Sequence, residues 1–275
     1  MGLTGIVVEA TIRLKRVETS YFLVDTERTP DLASLLDRLS SGDDAYPYSV
    51  AWFDTATTGA SLGRSVITRG RSALLSDLDP SLQARALDFA APQRGRVPVD
   101  LPLSMVNRWT ARAFNALWYA KAPQQRIGEV QDITQFFHPL DIIGDWNRLY
   151  GPHGFCQYQF VVPETAREAF TLAVEQIAAS GHISSLNVLK RFGDASPAPM
   201  SFPMPGWTLA VDLPVKAGLS ELLSRLDALV AEAGGRIYLA KDSRASSETI
   251  HQMYPRLAEL AVHPSTGRSR RIVPF

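Results

Sequence analysis

Cysteine is almost missing from this chain, which carries only Cys156 among its 275 residues. A single cysteine excludes an internal disulfide and a cysteine-rich zinc site. The five histidines are scattered along the chain, and none stands at metal-ligand spacing from another. We therefore expect no metal centre.

An excess of either charge is also missing, because 28 lysines and arginines balance 28 aspartates and glutamates. A neutral chain lacks the broad basic surface that nucleic acids require, so we expect no nucleic-acid partner. No apolar run reaches the ~18 residues of a membrane span, and the first residues do not form a signal peptide. These features predict a soluble chain without a transmembrane segment.

The composition that is present, 45% hydrophobic and 20% charged, is typical of a globular protein. In the first half, apolar and polar residues alternate over 8–15 and predict a half-buried strand. A strand at 21–25, a helix at 30–39 and a strand at 48–53 then form a β-α-β unit. We expect residues 54–104 to cross the surface, with 66–68 as their best strand, and 104–119 to be helical.

The second half has a clearer order of elements. Strands are predicted at 155–162, 185–192, 207–215 and 236–240, with helices at 163–180 and 219–233. This β-α-β-β-α-β order is the ferredoxin-like, split βαβ pattern of an α+β fold, an antiparallel sheet with both helices on one face. The other face is then open to solvent, another domain or a ligand.

Strand periodicity places Gln157 and Gln159 on the same face of the first of these strands. Each amide both donates and accepts hydrogen bonds, which suits the hydroxyl groups of a sugar. A plain solvated polar face is the alternative interpretation.

The same periodicity groups Leu186, Val188, Lys190 and Phe192 on one face, so that a single cation lies among apolar side chains. Such a lysine either extends to solvent or meets an anionic ligand. On the next strand Thr208 and the small Ala210 share a face. Together these positions are consistent with a pocket for a polar, anionic ligand.

Lys241 is predicted to stand at the end of a short apolar strand, directly before a helix start at 246–249. At a strand end, its side chain projects toward whatever the edge of the sheet faces. An ordinary surface lysine is the alternative, and the residue pattern alone does not decide between them.

Nine segments together resemble a known family. They are MGLTGI (1–6), YSVAWFD (48–54), QFFHPLD (135–141), WNR (146–148), YGP (150–152), QYQF (157–160), SFP (201–203), PGW (205–207) and AKDSR (240–244). The chain resembles the decaprenylphosphoryl-β-D-ribose 2'-oxidases, within the vanillyl-alcohol-oxidase-like FAD-linked oxidoreductases. The resemblance covers nearly the whole chain.

The resemblance implies that FAD oxidises the 2'-hydroxyl of a polyprenyl-phosphate ribose to a ketone, a step in arabinan and cell-wall biosynthesis. It implies a catalytic role for Lys241 beside the flavin and the substrate. The substrate-binding positions that it implies are Gln157, Gln159, Lys190, Phe192, Phe137, Leu140, Arg148, Leu186, Val188, Thr208, Ala210 and Trp52. The cofactor-binding positions are Tyr238, Lys241, Ile6 and Val7.

Three departures from the family pattern change the expected pocket. Ala210 stands where some relatives carry cysteine, Thr208 where relatives carry asparagine, and Phe137 where relatives carry tyrosine. A thiol at position 210 is therefore not required, and thiol-directed covalent inhibitors have no target there. The pocket is expected to be less polar than in those relatives.

The resemblance also implies a division of the chain. Residues 1–19 correspond to the last strands of an FAD-binding domain of the PCMH type, 20–235 to the substrate-binding domain, and 236–275 to a segment returning toward the FAD domain. The main FAD-binding domain is expected to be absent from this chain. A short-chain reductase is the implied partner, and the implied location is the cytoplasm or the periphery of the cell membrane, including its periplasmic face.

Two alternatives stay open at this point. In the first, the chain is a nonenzymatic remnant or a sugar-phosphate-binding module that needs a separate flavin domain. In the second, it is an aldonolactone oxidase of the D-arabinono-1,4-lactone type.

Overall fold

The computed structural model describes residues 7–100, 104–184, 186–241 and 244–261. Within these ranges the strands are β1 (Tyr21–Thr29), β2 (Tyr48–Phe53), β3 (Ser65–Ser72), β4 (Gly95–Arg96), β5 (Gln125–Asp132), β6 (Ile143–Gly144), β7 (Phe155–Pro163), β8 (Asn187–Phe192), β9 (Gly206–Pro214) and β10 (Arg236–Ile237). The α-helices are α1 (Leu32–Gly42), α2 (Pro80–Gln83), α3 (Arg108–Lys121), α4 (Ile133–Phe137), α5 (Arg167–Ala179), α6 (Leu219–Glu232), α7 (Ser247–Met253) and α8 (Ala258–Ala261).

A large antiparallel sheet organises these elements into a mixed α/β structure. Its eight strands run in the order β10-β7-β9-β8-β2-β3-β1-β5, and every neighbouring pair is antiparallel. β4 and β6 form a separate parallel pair. The two halves of the chain therefore meet in one sheet, at the contact between β2 and β8.

The core lies between one face of this sheet and three helices. Leu35 of α1, Phe170 of α5 and Leu226 of α6 are fully buried in the same cluster as Phe160 and Leu209 of the sheet. In α1 the apolar positions recur at helical spacing, and the carboxylate of Asp31 accepts a hydrogen bond from the Ser34 amide at 2.7 Å, which caps the helix. This helical layer leaves the opposite face of the sheet to carry a site.

One of the predicted strands is absent from the structure, and another is shorter than predicted. Residues 7–17 form no strand, and Val8 is 94% exposed, because no neighbouring strand within the described residues pairs with them. The strand predicted over 236–240 ends at Ile237, and Leu239 and Ala240 lie in a turn. Alternation of apolar residues identifies a possible strand, but only a partner fixes it.

The expected surface excursion over 54–104 is also wrong in part. β3 lies inside the sheet between β2 and β1, and Val66 and Ile67 are buried. β5 was not predicted, because its sequence carries few apolar residues and its first half is exposed.

Candidate functional site

A cavity of about 1090 Å³ opens where β2 and β8 separate. The two strands pair only at Ala51 with Leu189 and at Trp52 with Val188. In the same register Val50 would face Lys190, but the pairing stops short of these residues. The cavity takes the place of the missing pairs, and its lining includes the residues of both diverging segments, 48–50 and 190–192.

Seven of the residues proposed from the sequence line this cavity. They are Phe137, Leu140, Gln157, Val188, Lys190, Phe192 and Lys241. They come from four separate parts of the chain: α4 with the loop after it, β7, β8, and the turn after β10. In the sheet, β7 and β8 lie on either side of β9, and β10 is the other neighbour of β7.

The two glutamines share one face of β7, as the alternation predicts. Gln157 donates from Nε2 to Oδ1 of Asp212 at 2.8 Å, and Gln159 donates from Nε2 to the Thr208 hydroxyl at 3.1 Å. Thr208 in turn donates to the backbone carbonyl of Phe160 at 2.9 Å. Both amide groups are therefore oriented by β9, but only Gln157 belongs to the cavity lining.

Ala210 lies between these two hydrogen bonds, opposite Gln159 on β7 and Val188 on β8. Because its side chain is only a methyl group, Ala210 leaves open space above this part of the sheet, beside the cavity. Thr208, on the same strand, is buried.

Cations line the cavity from two directions. Lys190 on β8 is exposed, and Lys241 is half-buried at the other side. Arg191 is already paired, donating to Asp44 at 2.7 Å and to Glu164 at 3.2 Å. The hydrogen bond to Glu164 is the main cause of the raised pKa of Arg191. The two lysines are thus better placed than Arg191 to meet an anionic ligand.

The Lys241 turn is held from both of its ends. On one side the Tyr238 amide donates to the Gln159 carbonyl at 2.8 Å, and the Lys241 amide donates to the Tyr238 carbonyl at 3.1 Å. On the other side Arg244 donates to Oδ2 of Asp227 at 2.8 Å. These contacts place Lys241 at the cavity although it follows a turn rather than a strand.

Aromatic rings connect this turn to the cavity. The Tyr238 ring stacks on Phe202 with centroids 4.5 Å apart, and Phe202 meets Phe192 edge-on at 5.6 Å. Tyr238 itself is not among the residues that line the cavity.

A second group of aromatic side chains forms the opposite wall. In α4, Phe136 stacks on Phe22 with centroids 5.0 Å apart, and Phe137 meets Tyr48 edge-on at 5.1 Å. Gly70 of β3 lies directly beneath the Phe136 ring. The wall therefore depends on a glycine in the sheet below it.

Replacing Gly70 with alanine is expected to displace this wall. A Cβ atom there would lie 2.5 Å from Cζ and 2.7 Å from Cε2 of Phe136, so the ring and α4 must move. We expect a loss of about 1–3 kcal/mol in the free energy of unfolding, typical of overpacking. Urea unfolding measures it, with Gly95→Ala as control because no atom lies within 4 Å of a Cβ at that position. Equal unfolding free energies for both variants would contradict the prediction.

The remaining proposed residues lie away from the cavity lining. Arg148 donates to the Val97 carbonyl at 3.2 Å and pairs with Asp100 at 3.1 Å. Leu186 precedes β8, where its amide donates to the Ser184 hydroxyl at 3.0 Å. The partners of Arg148 are therefore residues 97–100, outside the cavity lining.

Trp52 and the predicted cofactor residues complete the set. Trp52 meets Trp118 of α3 with centroids 6.4 Å apart. Val7 is exposed in an irregular segment, and Ile6 lies outside the described residues.

Sequence reasoning missed the polar side of the cavity. Asp43, Tyr46 and Glu164 contribute to its lining. Tyr46 donates a short hydrogen bond to Asp25, and this bond is the main cause of the raised pKa of Tyr46. No sequence signal marks these residues, because they follow α1, precede β2 and follow β7, three parts of the chain that only the fold brings together.

The described part of the chain lacks two features. There, no group of three histidine, cysteine, aspartate or glutamate side chains is arranged to hold a metal ion. None of its helices combines the length and the apolar character needed to cross a bilayer.

Comparison with known proteins adds two relatives. The decaprenylphosphoryl-beta-D-ribose oxidase of Mycolicibacterium smegmatis is 48% identical over 259 residues, which cover 94% of this chain and 56% of that protein. An uncharacterized protein in the mprA 5' region of Streptomyces coelicolor is 33% identical over 279 residues, covering 97% of this chain and 75% of that protein. The chain belongs to the decaprenylphosphoryl-β-D-ribose oxidase family.

This family assignment comes from whole-chain similarity, since no family model matches the sequence. The chain spans about half the length of the Mycolicibacterium family member. The cavity, with its seven proposed residues, lies within the part that the two proteins share along 94% of this chain.

Proposed function

We propose that this chain is the substrate-binding part of an FAD-dependent oxidoreductase that oxidises the 2'-hydroxyl of a polyprenyl-phosphate ribose to a ketone. The observation that carries the proposal is the 48% identity to the Mycolicibacterium oxidase over 94% of the chain. In the reaction the 2'-hydroxyl loses its proton and the carbon that bears it loses a hydride. The ketone is then an intermediate toward the arabinose donor for cell-wall arabinan.

The residues around Lys241 fit the ring end of a flavin. Lys241 is a cation at the edge of the cavity, and Tyr238 and Phe202 form a stacked aromatic pair beside it. When bound, the flavin would supply the hydride acceptor. We propose that Lys241 stabilises the negative charge that develops during the oxidation. Tyr238 and Val7 are proposed to contact the cofactor, and so is Ile6, which lies outside the described residues.

The sugar would bind along the face of β7 and β8. Gln157 and Gln159 are oriented by their hydrogen bonds to β9, so their amide groups are fixed before the ligand arrives. Lys190 offers a positive charge to the phosphate. Phe137 and Phe192 would cover the sugar and exclude water.

The other proposed substrate positions support this face from outside the lining. Ala210 leaves room beside Gln159, and Thr208 orients Gln159. Trp52 pairs with Val188, which lines the cavity, and Leu186 directly precedes β8. We keep Arg148 as a more distant contact, near residues 97–100.

The strand order supports the finer assignment of the fold. β10-β7-β9-β8 is the order of a ferredoxin-like, split βαβ sheet, with α5 and α6 packed in its core. We assign residues 20–235 to the substrate-binding domain, and 1–19 and 236–275 to segments of a PCMH-type FAD domain, with β10 at the start of the last segment completing the sheet of the substrate-binding domain by pairing with β7.

The proposed pathway implies further partners. A ketone on C2' needs a reductase to complete an epimerisation, and a short-chain reductase is our candidate. A polyprenyl-phosphate substrate places the reaction at a membrane surface, either on its cytoplasmic or its periplasmic side.

Titration with FAD tests the proposal on the purified chain to which a separate FAD-binding domain has been supplied. We expect flavin absorbance to co-elute with this assembly on gel filtration and to bleach when polyprenyl-phosphate ribose is added without oxygen. If the flavin stays with the protein but does not bleach with this sugar, the proposed reaction is wrong, and bleaching by D-arabinono-1,4-lactone instead would indicate an aldonolactone oxidase. If the supplied domain binds flavin but the chain does not co-elute with it, the chain is a nonenzymatic remnant or sugar-phosphate-binding module.

A further inference from the structure

Helix α3 turns its apolar side chains away from the protein. Trp109 is 76% exposed and Leu117 is 70% exposed, whereas Ala111 and Asn115 are the buried residues of the helix. A surface helix ordinarily buries its large apolar side chains and exposes its polar ones. In α3 this arrangement is reversed.

The protein fixes this orientation through a narrow edge of the helix. Asn115 donates from Nδ2 to Oδ1 of the buried Asp54 at 2.7 Å, and the Tyr119 hydroxyl donates to the Thr29 carbonyl at 3.2 Å. At the N-terminus, Asn107 accepts hydrogen bonds from the Trp109 amide at 2.9 Å and the Thr110 amide at 3.1 Å. Because these hydrogen bonds fix the rotation of α3 about its axis, its apolar side chains on the opposite side face outward.

The outward residues form a continuous stripe. With 100° between successive residues, Trp109, Ala113, Ala116, Leu117 and Ala120 fall within a sector about 100° wide, nearly opposite the buried edge. The three alanines keep the stripe smooth, so a bulky partner residue would find no deep pocket in it.

Positive charges border this stripe. Arg108 and Arg112 lie on one side of it and Lys121 lies on the other, and the helix contains no aspartate or glutamate. An apolar stripe with tryptophan, bordered by basic residues, is the arrangement of helices that lie in the interface of an anionic membrane. A second copy of the chain is a poor occupant, because pairing the same helices would bring like charges together.

The helix also stands close to the cavity. Trp118 meets Trp52 with centroids 6.4 Å apart, and Trp52 pairs across β2 and β8 with Val188, which lines the cavity. A surface held by α3 would therefore lie near the part of the cavity that Val188 lines.

We propose that α3 docks on an anionic membrane surface, with Trp109 and Leu117 in the boundary between headgroups and acyl chains and with Arg108 and Arg112 against lipid phosphates. This inference goes beyond the proposed function, since it concerns binding to a lipid surface without flavin, sugar or turnover. Its failure and the failure of the proposed reaction are therefore separate results.

Sedimentation with lipid vesicles tests it on the full chain. We expect binding to phosphatidylglycerol vesicles at low ionic strength, much weaker binding to phosphatidylcholine vesicles, and release as salt is added. Trp109→Ser combined with Leu117→Ser should weaken the partition about a hundredfold. Arg108→Gln combined with Arg112→Gln should weaken it roughly thirtyfold on phosphatidylglycerol and little on phosphatidylcholine.

Matched controls come from the helices that cover the other face of the sheet. Leu172→Ser on α5 and Arg225→Gln on α6 change exposed residues of the same types and should leave vesicle binding unchanged. Thermal unfolding checks that every variant is folded. The proposal is overturned if the wild-type chain does not bind phosphatidylglycerol vesicles, or if the Trp109 and Leu117 changes leave its binding intact. Self-association that these two changes abolish would assign the stripe to a second copy and overturn it as well.

Discussion

Replacing Lys241 with alanine is expected to reduce turnover of the flavin-loaded enzyme by about a thousandfold, the size of effect seen when a group that stabilises developing charge is removed. The change should leave the fold intact. Lys241 is half-buried at the cavity edge, and its backbone amide, which alanine retains, makes the hydrogen bond to Tyr238. Turnover and the free energy of unfolding, measured on the same preparation, separate these two effects.

Two further variants sharpen this experiment. Lys190→Ala should raise KM and change kcat much less, because Lys190 is assigned to binding the phosphate rather than to the reacting carbon. Lys216→Ala removes a lysine that donates to the Gly181 carbonyl at 2.6 Å, outside the cavity lining, and should change neither constant. Unchanged turnover in Lys241→Ala would make Lys241 an ordinary surface lysine.

Local patterns were sufficient to predict the face that carries the candidate site. Alternation along β7 placed Gln157 and Gln159 together, and the structure shows both donating to side chains of β9. The antiparallel sheet, the helical core of α5 and α6, and the grouping of Val188 with Lys190 follow from the same period-two and helical periodicities. These features depend on neighbours in sequence, which one chain is enough to reveal.

Features that depend on distant parts of the chain were not predictable in this way. The cavity exists because β2 and β8 stop pairing at Ala51, and nothing in either strand marks that point. For the same reason the ion pairs of Arg191 with Asp44 and Glu164 could not be foreseen. Arg148 stays a prediction of the resemblance, since in the structure it donates to the Val97 carbonyl and is not among the residues that line the cavity.

Replacing Asp227 with alanine should have the largest effect on stability. Its carboxylate accepts from the buried Tyr158 hydroxyl at 2.9 Å and from Arg244 at 2.8 Å, so both donors lose their partner at once. We expect the free energy of unfolding to fall by about 3 kcal/mol, mostly because the Tyr158 hydroxyl remains buried and unpaired. The Lys241 turn also loses its tether to α6. Adding Tyr158→Phe should recover part of the loss in urea unfolding, and an equally unstable double variant would contradict this explanation.

Asp227→Asn separates the hydrogen bonds from the charge. Asparagine keeps an acceptor, so the loss in the free energy of unfolding should stay near 1 kcal/mol, the net value of a single hydrogen bond.

Burial raises the pKa of Asp227 above its ordinary value, which means that the folded state holds the proton more tightly than the unfolded state. The stabilising contribution of this carboxyl is therefore fully present below the unfolded pKa of about 3.9 and is lost as the pH rises through the folded pKa. Measured against Asp227→Asn, which does not titrate at this position, the wild-type chain should gain relative stability as the pH falls through that window. A relative stability that falls instead would mean that the ion pair with Arg244 outweighs burial, and that the pKa of Asp227 is lowered.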